Sequence, residues 1–192
     1  PNLYTSYDDY QFINEEKNNF LNIGRLWVGD GFNANKSITF NTKTPLKSTD
    51  SVKVKSTIFV KNATNDKITL NINGQNSGTY IISNSADIKI REIPWESQIN
   101  NLSGNTIKFD YILESTNPLV TYYLDYLEVQ YKQDLVYNEE QMNFRVFDIP
   151  TGSGETFGFT VENAKNIEQI WDISDITNAK KIVNKASGTQ FS

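Results

Sequence analysis

The stretch TYYLDYLEVQYK, residues 121–132, is the longest clean β pattern in the chain. Leu127, Val129 and Tyr131 project from one face and Tyr126, Glu128 and Gln130 from the other, the period-two signature of a strand covered on one side. Tyrosine, valine and leucine suit a pleated, half-buried surface. Asp125 breaks the pattern, because it has the parity of Leu127 and Val129 unless a bulge turns it away. A carboxylate on a core face is costly unless backbone N–H groups or a partner charge satisfy it. Asp125 is therefore expected to hold a fixed partner and to clamp a neighbouring loop; a catalytic or metal-binding acid is the alternative.

Upstream, the alternation recurs. Val52, Val54, Ile58 and Val60 oppose Lys53, Lys55 and Lys61, as in an antiparallel strand with one wet face. Ile68, Leu70 and Ile72 form the next apolar row, and Asn73-Gly74 ends it as a tight hairpin. Short strands are also expected at Ser37–Asn41, Thr79–Ile82, Asp87–Ile93 (ended by Pro94) and Thr106–Leu113. The segment from Asn41 to Asp50, around Pro45, reads as a polar loop, and Trp95 as a loop residue capping a sandwich end. Residues 1–22 read as an aromatic arm or edge strand. Downstream, strands are expected at Asp134–Tyr137, Asn143–Ile149, Thr156–Val161 and Ile167–Ile173, before a polar tail.

About ten to twelve short strands at regular spacing, with no amphipathic helix of normal length, point to an all-β fold. The expected architecture is an antiparallel β-sandwich of jelly-roll type with a C-terminal β extension. The expected division is a sandwich over residues 1–150 and an adjoining β segment and linker over residues 151–192.

A second stretch, GRLWVGDGF from Gly24 to Phe32, reads as a compact loop. Gly24, Gly29 and Gly31 permit positive φ and close backbone approach. Trp27 and Phe32 are its expected anchors, and Asp30 between two glycines suits an Asx-type turn.

Composition removes several kinds of chemistry. The 192 residues contain neither cysteine nor histidine, so disulfides, thiolate chemistry and the commonest general base are missing. Serine or threonine nucleophiles lack a histidine partner. A zinc site is not expected from carboxylates alone, and no metal ligand is assigned. Calcium fits better, with Asp8-Asp9 or Glu139-Glu140 beside carbonyl-rich loops as the candidates, so the one cofactor that the sequence allows is a structural calcium. With 23 acids against 18 bases and a formal charge of −5, nucleic acid is an unsuited partner. No run of about 18 apolar residues exists, so no membrane-inserting helix is expected. The opening Pro1-Asn2-Leu3-Tyr4 lacks a signal-peptide pattern and suggests an excised or processed piece.

Three blocks in order carry a family resemblance. They are Gly24-Arg25-x-Trp27-x-Gly29-Asp30-x-Phe32, then Leu124-Asp125-Tyr126-Leu127-Glu128-Val129 with Tyr131-Lys132-x-Asp134-Leu135, and then Ile170-Trp171-Asp172-Ile173-Ser174-Asp175. Over about Gly24 to Asn178 the chain resembles the region upstream of the catalytic domain in gingipain-like cysteine peptidases, the cell-surface sortases of the Bacteroidetes type IX secretion system. The resemblance implies a non-catalytic β domain at the cell surface, associated with the outer membrane. It also implies a peptidase domain of the same parent chain as partner, with other secretion-system components or secreted cargo as further ones. The family's Cys–His dyad has no counterpart among these residues. Gly24, Trp27, Gly29, Asp30, Phe32, Asp125, Tyr126, Trp171 and Asp172 then become structural or interaction residues, with Trp171 packed into the core or against the next domain.

The residues leave two further readings. A carbohydrate-binding jelly roll would use Trp27, Trp95 or a row of tyrosines as a stacking platform, and needs at least two coplanar, solvent-facing rings. A carboxylate-only glycoside hydrolase would need two acids about 5–10 Å apart in a cleft.

Overall fold

The computed structural model describes residues 2–19, 26–83, 90–149, 157–184, 189 and 191. In chain order the strands are β1 (Asn2–Tyr4), β2 (Ser6–Asn14), β3 (Asn18–Asn19), β4 (Trp27–Val28) and β5 (Gly31–Phe32). They continue as β6 (Lys36–Leu46), β7 (Val52–Lys61), β8 (Asp66–Ile72), β9 (Gln75–Ile82) and β10 (Ile90–Ile99). The last five are β11 (Gly104–Glu114), β12 (Thr121–Asp134), β13 (Phe157–Phe159), β14 (Ile170–Asp172) and β15 (Lys180–Ile182). Two 3₁₀ turns, Ala164–Asn166 and Ile176–Asn178, are the only helical elements among the described residues.

Two sheets make the sandwich. One has the order β10-β7-β12-β2, with β5 added to β12; the other has the order β6-β11-β8-β9. From β6 to β12 each connection changes sheet except the hairpin between β8 and β9, the crossing pattern of a jelly roll. That hairpin is the expected one: Asn73 and Gly74 both take positive φ, 46° and 79°, as a two-residue type I′ turn requires. Between the sheets lie Val54, Ile58, Ile68, Leu70, Ile72, Ile107, Phe109, Leu127 and Val129, all nearly or fully inaccessible. Ser56 Oγ and Tyr111 Oη, 2.7 Å apart, make a polar bond across this interior.

The chain forms two compact units, Tyr10–Lys132, and Pro1–Asp9 together with Gln133–Ser192. The first holds the sandwich. In the second, β1 pairs with β13 in parallel and β14 with β15 as an antiparallel hairpin. Val161, Ala164 and Phe191 form a small core there, and Val161 and Phe191 exchange backbone hydrogen bonds. Phe191 thus belongs to a folded unit rather than to the polar linker expected at the C-terminus. Residues 133–149 also group with this unit, although the sequence places its division near residue 150.

Several strand assignments differ from the sequence expectation. Pro45 does not lie in a loop, because β6 continues to Leu46. Pro94 does not end its strand: β10 runs to Ile99, with Pro94 opposite Thr57. Both prolines sit on sheet-edge strands, where a missing N–H leaves no ladder bond unmade. Trp95 is accordingly a strand residue, 5 % exposed, against Tyr80 and Tyr111 at ring distances of 4.8 and 6.3 Å. Residues 143–149 are not a strand. Phe144 instead packs edge-on against Tyr7 and Phe159, and Asp8 N donates to Arg145 O. The segment 134–137 contributes one isolated bridge, Val136 to Glu162.

The central strand β12 contains the bulge on which its sequence reading turned. Leu124 pairs with Ile58 and Tyr126 with Thr57, so Asp125 is an extra residue. Before it, Tyr122 and Leu124 face the core; after it, Leu127, Val129 and Tyr131 do. The core-facing acid is a different residue. Asp66 opens β8 with the parity of Ile68 and Leu70, and is 1 % exposed. Its Oδ2 accepts from Thr64 N at 2.6 Å, while Oδ1 has no partner.

Candidate functional site

The first and second sequence blocks meet at the bulge. Gly29 N donates to Leu124 O at 2.8 Å, one residue before the extra Asp125. Beside it, β5 pairs with β12 through Phe32 opposite Tyr122 and Gly31 opposite Tyr123. The Phe32 and Tyr122 rings lie 6.0 Å apart, and Lys36 Nζ sits 5.2 Å over the Phe32 ring. The buried anchor of this loop is Val28, fully inaccessible, and not Trp27, which is 43 % exposed on β4 opposite Asn19. Gly24 lies outside the described residues.

The glycines serve close approach. Neither Gly29 nor Gly31 takes a positive φ. A Cβ at Gly29 would come 3.0 Å from Glu15 Oε2 and 3.1 Å from Leu124 O. At Gly31 it would come 2.8 Å from Thr121 Cγ2. Asp30 forms an ion pair rather than an Asx turn: its Oδ2 accepts from Lys17 Nζ at 2.8 Å, and Lys17 also reaches Glu15 at 3.2 Å. The Lys17 bond holds the Asp30 carboxyl below its ordinary range. Both side chains are solvent-exposed, so the pair orients the loop more than it stabilises the fold.

Asp125 does not have the fixed partner expected of it. Among the described residues no hydrogen bond or ion pair reaches its carboxylate, and the bulge resolves the conflict by turning it off the core face. Its pKa is raised, first by desolvation and then by the nearby charges of Glu92 and Glu16. A carboxylate raised in the folded state binds its proton more tightly there, so its charge works against folding above that range. Asp125→Asn is therefore expected to stabilise the protein at pH 7. The gain should fade as pH falls through that raised range and be gone below the ordinary carboxylate value of about 4, where Asp125 is protonated in folded and unfolded states alike. Urea unfolding of the two proteins at both pH values checks this. A less stable variant at pH 7 would mean that Asp125 makes a favourable bond.

Tyr126 stands half-buried opposite Thr57, on the outer face as its parity requires. Trp171 and Asp172 lie on β14, in the other unit, opposite Lys181 and Lys180. Trp171 is not in the core; it is 50 % exposed. Asp172 Oδ1 accepts from Ser174 N at 3.0 Å, which holds its carboxyl below the usual range.

A shallow cavity of about 370 Å³ is lined by Asn33, Leu113, Ser115, Thr116, Asn117 and Tyr122 among others, with no carboxylate. The Tyr122 hydroxyl has no partner, and burial together with the Asp66 charge pushes its pKa up. Among the described residues no three acids converge to hold a metal ion. Of the calcium candidates, Asp8 Oδ2 accepts from Phe147 N at 2.7 Å and Glu139 Oε1 from Asn166 Nδ2 at 3.2 Å. No helix among the described residues is long and apolar enough to cross a membrane.

Two features escaped the sequence reading. Asp66 has the parity of Ile68 and Leu70, which was the available signal, but the apolar row was read only from Ile68 onward. Tyr10 and Phe12, separated by Gln11, are exposed on β2 with ring planes within 9° of parallel. Their alternation was the available signal.

No family model and no curated protein matches the chain. Among solved structures, it is similar to dimeric latent PorU from Porphyromonas gingivalis, with a TM-score of 0.77 at 19 % identity. The match covers 99 % of this chain and 19 % of that one. A carbohydrate-binding module CBM36 in complex with calcium and xylotriose aligns over 63 % of the chain with a TM-score of 0.34 at 16 % identity. The CBM36-1 domain of a multidomain xylanase from the hindgut metagenome of Trinervitermes trinervoides aligns over the same share with a TM-score of 0.33 at 17 % identity. The chain therefore has, over nearly its whole length, a fold that is also present within the much longer PorU chain.

Proposed function

We propose that this chain is a non-catalytic docking domain of a gingipain-like surface peptidase that takes part in type IX secretion and C-terminal signal processing. The observation that carries the docking role is the concentration of exposed apolar side chains in residues 171–183. Trp171, Ile173, Ile176, Ile182 and Val183 are all exposed, Ile176 by 85 %. They lie on a two-stranded hairpin and a 3₁₀ turn, elements too small to be stable by themselves. Exposed apolar side chains concentrated in this way mark an interaction surface. The fold likeness to PorU and the absence of cysteine and histidine support placing the catalytic dyad elsewhere in the parent chain. The partner is then the peptidase domain of that same chain, at the cell surface and associated with the outer membrane. Secretion-system components and cargo are further partners.

Co-expression of this chain with the remainder of its own gene product tests the proposal. Trp171→Ser with Ile176→Ser should abolish co-purification while leaving the melting temperature of the isolated chain nearly unchanged. A gene without a Cys/His-containing domain, or a variant that co-purifies like the parent, would overturn it. The other reading of the sequence, a carbohydrate-binding module, is favoured by one observation, the exposed parallel rings of Tyr10 and Phe12.

A further inference from the structure

The strand β2 lies at the edge of its sheet, next to β12. Gln11 turns inward, its Nε2 donating to Asn41 O at 2.8 Å and to the hydroxyl of Tyr131, a core residue. Ile13 packs against the same core. Tyr10 and Phe12 therefore project from the outer face, 45 % and 61 % exposed, with centroids 6.2 Å apart and planes within 9° of parallel. Beyond the bulge, β12 turns Leu127, Val129 and Tyr131 to the core, so Glu128, Gln130 and Lys132 share the outer face with the two rings. Gln130 Nε2 donates to Glu128 Oε1, which holds an amide and a carboxylate in fixed orientation there.

We propose that Tyr10 and Phe12, with Glu128 and Gln130, form a binding face for a neutral oligosaccharide; the proposal rests on the carbohydrate-binding reading and assigns its site. The two rings are stacked on one another, and their outward faces and edges offer apolar surface to the C–H face of a pyranose. Ordered amide and carboxylate groups beside them match its equatorial hydroxyls, the combination of apolar lining and few polar groups that small-ligand sites use. Charge on this face is mixed. Lys53 and Lys55 point outward on β7, and Lys55 pairs with Glu96 at 3.5 Å. With Glu128 of the opposite sign, the face has no single-sign field, which suits an uncharged polyol better than a polyanion or a basic peptide.

Native affinity electrophoresis of the 192-residue chain in gels containing xylan, mixed-linkage β-glucan or galactomannan tests the site. At least one polysaccharide should retard the chain. Tyr10→Ala and Phe12→Ala should each weaken binding about tenfold or more. Tyr10→Phe should restore most of it, and both alanine variants should melt like the parent. No retardation in any gel overturns the carbohydrate reading altogether. Retardation that survives the double alanine variant overturns only this site and places sugar binding elsewhere. Sedimentation of the parent as a dimer that the alanine variants dissolve would assign the face to a second copy, and would likewise overturn the proposal.

Discussion

Leu127→Asp is expected to abolish cooperative folding, while deletion of nearby Asp125 should leave a folded protein. Leu127 is fully inaccessible, opposite Ser56 at the centre of the sandwich. Losing its apolar burial costs roughly 2–3 kcal/mol. An unpaired carboxylate in its place adds several kcal/mol more, because no lysine or arginine is buried among the described residues. Together these approach the whole stability of an ordinary domain, about 5–15 kcal/mol. Asp125 differs because it is the extra residue of the bulge. Without it, Leu124, Tyr126 and Leu127 alternate without a break and every core-facing side chain keeps its face. Circular dichroism with urea titration of the two variants decides the matter. A Leu127→Asp protein with a parent-like transition, or an Asp125 deletion that is unfolded, would show that the bulge has been misassigned.

Trp95→Ala is the second large effect, with an expected loss of about 3–5 kcal/mol, the range for aromatic truncation in a core. Trp95 lies in β10 of one sheet and its ring meets Tyr111 of the other, so truncation opens a void between the layers. Gly78 belongs to the same packing: a Cβ there would stand 3.1 Å from Trp95 Nε1. Trp171→Ala should change stability by no more than about 0.5 kcal/mol, since half of that side chain is already in water. Thermal unfolding should accordingly separate the two by roughly 10 °C. Equal melting temperatures would contradict the burial that distinguishes these tryptophans. Neither substitution touches Tyr10 or Phe12, so polysaccharide retardation should persist in Trp171→Ala.

Alternation in the sequence was enough for the sandwich. The rows Val52–Val60, Ile68–Ile72, Ile107–Tyr111 and Leu127–Tyr131 are where they were expected, and Asn73-Gly74 is the expected turn. A one-residue slip would bring lysines or glutamates into the core, so the pattern itself specifies the faces. The strand ends were less legible. Pro45 and Pro94 read as breaks, yet an edge strand accommodates proline, and whether a strand is an edge depends on pairings distant in sequence. The candidate site was legible in part. Gly29, Phe32 and Asp125 are brought to one place, but the loop anchor is Val28 and the ion pair to Asp30 comes from Lys17, thirteen residues away.

From its amino acids alone this chain is all-β, lacks the side chains of thiol and imidazole chemistry, and has an inner and an outer face to each long strand. These properties depend on residue type and a period of two, which are local. The tertiary structure alone decided that the bulge turns Asp125 off the core face, and which aromatic residues meet solvent. The reason is geometric. A strand's parity says which side chains share a face, but only the bulges that shift that parity, and the segments that cover the face, determine whether it is buried.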